Sequence, residues 1–166
     1  MRWLFYLMIV ILLIIAQSTL GVLFKIGSVK PDFVLAFVLC MALIKGENSG
    51  AAYGLISGLI EDIVYGKFLG FSALVKLLTG YFVGYGTRDL FKGPVVFTMG
   101  FVFMGTLLYN LIFFLAALLL TPEYKIGLFM PVVVYSALYN AVIGPVMYSA
   151  ILRLEKLLNY YFVTKY

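Results

Sequence analysis

Three ionisable side chains fall inside apolar runs of this sequence: Glu61, Asp62 and Lys76. A charge at membrane depth costs about 2.5–3.5 kcal/mol on insertion scales, so such groups pair with one another or line a wet cavity. Lys76 lies about two turns into its run and can reach back toward Asp62. One ion pair would then lock a helical hairpin, with Glu61 extending to water; the alternative is a polar cavity or ion relay. The ion pair is favoured, because a transport path would carry more polar groups. Gln17, Ser18 and Thr19 lie at a comparable depth near the end of the first run, placed to bond across helices or to cap the cavity. Asn110 and Asn140, each preceded by tyrosine, fall mid-run, and each is the other's simplest hydrogen-bonding partner.

Other chemistry is missing. The chain has no histidine, which excludes Ser–His–Asp and Cys–His nucleophiles and any His-ligated metal. It has no Walker loop, no metal-ligand cluster and no nucleophile–base pair. An intramembrane aspartyl protease needs aspartates on two helices, and only Asp62 lies in a span interior. No catalytic role and no cofactor are expected. The single cysteine, Cys40, sits in an apolar run and reads as a free, inert thiol.

The elements that hold these residues are membrane spans. Of 166 residues 64% are hydrophobic and 11% charged, with a mean hydropathy of +1.11. Soluble domains carry about 25% charged residues, so here most of the exterior must face a lipid bilayer. The net charge of +5 is spread singly and forms no nucleic-acid patch. Six spans fit, at about 3–24, 32–45, 50–65, 70–86, 94–120 and 131–152, as one all-α integral membrane domain over 1–166. The first begins like a signal peptide, but only Arg2 precedes it and no small-x-small cleavage site follows, so it is expected to remain. Pro31 suits the first turn of the second helix and Asp32 its positive dipole end. The apolar part of that helix, residues 33–44, is short for a crossing; Pro31, Asp32 and Lys45 extend it to the interfaces. Gly144-Pro145 is expected to interrupt the sixth span with a kink.

With six spans the termini share a side. That side holds Arg2, Lys45, Arg88, Lys92, Arg153, Lys156 and Lys165, against Lys25, Lys30, Lys67 and Lys125 on the other. The positive-inside rule places both termini in the cytoplasm.

Gly50, Gly54, Gly58, Asp62, Gly66 and Gly70 recur at intervals of four. On a helix the first three form a smooth groove that admits another helix backbone. It serves either packing within the bundle, the favoured reading, or a partner interface. Gly80 and Gly84 repeat the pattern on the fourth span. Glycine-faced spans are also compatible with a homodimer.

Taken in order, Gln17-Ser18-Thr19-Leu20, Lys30-Pro31-Asp32-Phe33-Val34-Leu35, Gly50-x3-Gly54-x3-Gly58-Leu59-x2-Asp62-x3-Gly66-x3-Gly70-x2-Ala73-Leu74 and Gly80-Tyr81-x2-Gly84 resemble the bacterial rod shape-determining protein MreD family. The resemblance covers roughly Gln17 to Gly84. It implies a non-enzymatic inner-membrane scaffold of the cell-elongation machinery, or elongasome, that supports lateral peptidoglycan synthesis. Its partner would be an MreC-like single-span protein, linked through that partner to MreB filaments, RodA and its transpeptidase. It also implies a fold similar to the S-components of energy-coupling-factor transporters, six helices around an outward-facing pocket. Gln17, Glu61, Asp62 and Lys76 would stand near that pocket, and Pro31, Asp32, Gly66 and Gly70 belong to the family pattern. The alternative function is a small-molecule, vitamin-binding transport subunit of S-component type.

Overall fold

The computed structural model describes residues 2–23, 29–65, 68–88, 95–120 and 126–163. These residues form six α-helices and no β-strand: α1 (Arg2–Leu23), α2 (Phe33–Lys45), α3 (Glu47–Tyr65), α4 (Phe71–Gly86), α5 (Val95–Leu120) and α6 (Ile126–Val163). The fold class is all-α. Two stretches are long and apolar enough to cross a membrane, Val96–Leu119 of α5 and Pro131–Tyr160 of α6.

The shortest helix is the hub. Every residue of α2 from Val34 to Ala42 is buried, and all five other helices pack on it. Its 13 residues span only about 20 Å, against about 30 Å of hydrocarbon in a bilayer. The polar groups at its two ends, Asp32 and the exposed Lys45, are met by side chains of other helices. Asp32 is its N-cap, accepting from the Leu35 N–H at 2.7 Å, and Pro31 stands just before the helix rather than in its first turn. A side-chain cap must precede the helical turn, and that places the proline outside. Gly46 ends the helix at φ 85°, a conformation that glycine adopts without strain.

The closest helix pair is α3 and α4. A Cβ built on Gly50 would sit 2.5 Å from the Gly80 carbonyl oxygen, and one on Gly54 or Gly58 would strike the backbone of Lys76 or Ala73. Gly84 meets Glu47 in the same way. The glycine groove is thus filled by α4 of the same chain, and it is not open to a partner's helix. Gly70, at φ 93°, closes the turn into α4; Gly66 lies outside the described residues.

α6 departs most from expectation. It runs as one helix through Pro131 and Pro145, so Gly144-Pro145 does not interrupt it, and it continues to Val163 instead of ending at Leu152. A proline removes one donor while neighbouring turns keep theirs. The extension has its own packed face: Ile151 and Leu158 are buried in the core and Leu154 packs against it. That spacing puts all three on one side of the helix.

Candidate functional site: charge clusters at both ends of the central helix

At the N-terminal end of α2, Lys76 of α4 is completely buried. Its ammonium pairs with the Glu61 carboxylate and stands 3.7 Å from Asp32 Oδ1. Gln17 of α1 completes the cluster. Its Nε2 donates to Glu61 Oε1 at 3.1 Å, and its Oε1 accepts from the Val34 N–H at 3.3 Å. Four helices are thereby joined through one buried cation, two carboxylates and one amide. In an apolar interior such a network holds only when every member has a partner, and no buried side-chain N or O among the described residues lacks one.

The expected Lys76–Asp62 pair does not form. Asp62 caps α4 instead: Oδ2 accepts from Gly70 N at 2.9 Å and Ala73 N at 3.2 Å, and Oδ1 accepts from Ser72 N at 3.2 Å. The turn after α3 swings the first amides of α4 over this carboxylate, and helix N-termini hold four unsatisfied donors. Glu61, expected to extend to water, is instead the partner of Lys76, its side chain only 12% exposed. Ser18 and Thr19 donate to the Ile15 carbonyl of their own helix and are exposed, so of that polar triplet only Gln17 joins the cluster.

Beside this network a cavity of about 270 Å³ opens between the start of α2, α5 and α6, lined among others by Lys30, Asp32, Thr106, Tyr109, Ser136 and Asn140. Asn110 and Asn140 both border it but do not bond to each other. Asn110 Nδ2 donates to the Thr106 carbonyl at 2.8 Å and to Ser136 Oγ at 3.1 Å. Asn140 Nδ2 donates to Thr106 Oγ1 at 3.3 Å, and its Oδ1 accepts from the Asp32 N–H at 3.2 Å. Thr106 thus stands between the two amides. Gln17, Glu61, Asp62 and Lys76 do not line this cavity, which lies toward α5 and α6. A sequence signal for its lining existed. Thr106 and Asn110 are four apart, as are Ser136 and Asn140, so each pair shares a helix face.

The C-terminal end of α2 carries a second cluster, absent from the sequence reading. Lys45 Nζ lies 2.5 Å from Glu155 Oε1, 3.3 Å from the Tyr6 hydroxyl and 4.4 Å from the centre of the Tyr6 ring. The Tyr6 hydroxyl donates to the same carboxylate. This ties α1, α2 and the extension of α6, and charges inside helices are not confined to one hairpin. Arg88, at the end of α4, pairs with Glu47 at 3.4 Å.

No group of three or more His, Cys, Asp or Glu side chains among the described residues could hold a metal. Cys40 is buried and donates to the Gly144 carbonyl at 3.4 Å. What the arrangement supplies is a fixed polar floor beside a small cavity, in a molecule whose exterior is apolar.

Residues 1–158 match the profile of the family described as rod shape-determining protein MreD. No curated protein and no solved structure matches the chain.

Proposed function

The chain belongs to the MreD family of rod shape-determining membrane proteins, and on that premise we propose that it is a non-enzymatic scaffold of the cell-elongation machinery. It crosses the bacterial inner membrane six times with both termini in the cytoplasm, and the α2 N-terminal end of the bundle faces outward. It binds an MreC-like single-span protein and so connects MreB filaments inside with RodA and its transpeptidase, which build lateral peptidoglycan.

One observation carries this reading: the cavity beside the Lys76 cluster, polar on several sides and held by three helices. Helix association in lipid has no hydrophobic drive, so shape fit and a few hydrogen bonds supply specificity. Asn110, Asn140, Ser136 and Asp32 offer such bonds to the segment by which a partner leaves the bilayer. The α3 glycines are occupied by α4, so the partner's helix seats elsewhere.

The vitamin-binding alternative shares the cavity. Sites for drug-sized ligands run from about 300 to 1,000 Å³, and 270 Å³ lies below that range. A side chain or two of a partner fits it better.

Membrane co-purification with the native partners tests the proposal. The expected result is a single-span protein retained by the wild type and lost when Ser136→Phe fills the cavity of a folded variant. A bound vitamin instead, or equal retention by the variant, overturns it.

A further inference from the structure

Three cations among the described residues are answered by an acid: Lys76 by Glu61, Lys45 by Glu155, Arg88 by Glu47. Arg153 and Lys156 are exposed and have no carboxylate partner among the described residues. Both lie on the α6 extension, beside the Tyr6–Lys45–Glu155 cluster. Their position continues a particular surface. Val134, Leu138, Val142 and Val146 recur every fourth residue and are all exposed, Val146 the most at 71%. The same stripe proceeds down the helix to Arg153, Leu157 and Tyr160, while Ile151, Leu154 and Leu158 face the bundle.

Length decides what meets these cations. From Val134 to Arg153 the helix rises about 28 Å, close to the ~30 Å of a bilayer's hydrocarbon. The apolar stripe therefore ends where lipid phosphates begin. An exposed leucine and tyrosine among the cations are groups that sit at a membrane interface, and unlike a patch of cations alone they favour lipid over an acidic protein.

We propose that Arg153 and Lys156, with Leu157 and Tyr160, form a binding site for the headgroup of an anionic phospholipid in the leaflet at the Lys45 end of the bundle. The acyl chains of that lipid lie along Val146 and the residues above it, and the two cations take its phosphate and acidic headgroup. The site rests on the reading of α6 as a membrane span.

Native mass spectrometry of the full chain, released from bilayers with equal phosphatidylglycerol and phosphatidylcholine, tests it. Each cation near the surface contributes about a fivefold preference, so the wild type should retain the anionic lipid roughly five- to thirtyfold over the neutral one. R153Q/K156Q should bring the ratio close to one, and R153K/K156R should keep it. No preference in the wild type, or a preference that survives R153Q/K156Q, overturns the site. So does loss of a co-purifying protein from R153Q/K156Q with the lipid ratio unchanged, which would assign the surface to that protein. A chain that does not enter bilayers at all defeats the membrane reading itself, an outcome separable from these.

Discussion

Replacing Lys76 by methionine isolates the buried network. The ammonium is fully buried and stands against Glu61, 12% exposed, and Asp32, 22% exposed. Methionine fills much of the same volume, so the cost is electrostatic. Two carboxylates lose their counter-charge, and Glu61 keeps only the Gln17 amide. Removing one partner of a buried ion pair costs about 3–5 kcal/mol. For a chain of this length each kcal/mol lowers the melting temperature by about 2–4 °C, so K76M should melt roughly 6–20 °C below the wild type in detergent. K76M/E61Q removes one of the stranded charges and should recover about half of that loss, a coupling of about 2 kcal/mol. D62N should behave differently. Among the described residues Asp62 bonds the first amides of α4, so losing that cap costs about 1–2 kcal/mol. Its effect should add to that of K76M within about 0.5 kcal/mol. A K76M protein that melts with the wild type refutes the reasoning. So does K76M/E61Q no more stable than K76M alone, or strong coupling between Asp62 and Lys76.

Three further outcomes follow from the packing. G58A forces a Cβ into the Ala73 backbone and should cost about 1–3 kcal/mol of thermal stability, whereas G100A, with open space around it, should be neutral or slightly stabilising; equal melting temperatures for the two would contradict the close α3–α4 approach. E155Q removes the carboxylate charge that meets Lys45 and Tyr6 and should speed hydrogen exchange in α1 and the end of α6 while the α3–α4 hairpin stays protected; the same exchange in E155Q as in the wild type would deny the second cluster a local role. Cys40, completely buried, should resist a membrane-permeant maleimide in the folded protein and react once it is denatured; rapid labelling of the native state would contradict the buried α2.

The helices were legible because their apolar runs are long and their breaks carry Gly, Pro or charge, as at Lys30-Pro31-Asp32 and Lys45-Gly46. The small-residue spacing of Gly50, Gly54 and Gly58 foretold a close helix contact, and chain order made α4 the nearest occupant. The partners of Lys76 were not legible. Asp62 and Glu61 are adjacent in sequence, and choosing between them depends on where the turn after α3 aims the free amides of α4. Asp32 lies more than forty residues from Lys76 and meets it only through the central placement of α2. That placement follows from α2 being short and apolar on all sides, a property visible in residues 33–44. The α6 extension was missed because apolar content falls beyond Leu152 while helical periodicity continues through Leu154 and Leu158.

The most direct test of the scaffold account is a photo-crosslinker placed at Ser136, on the wall of the cavity, in membranes that also hold the MreC-like protein. The account predicts a crosslink to the juxtamembrane segment of that protein, competed away when the cavity is filled by Asn140→Phe in a folded chain that still carries the probe. A crosslinker at Ser136 that captures only lipid or water, while one at the exposed Ser18 of α1 captures the partner, would contradict it.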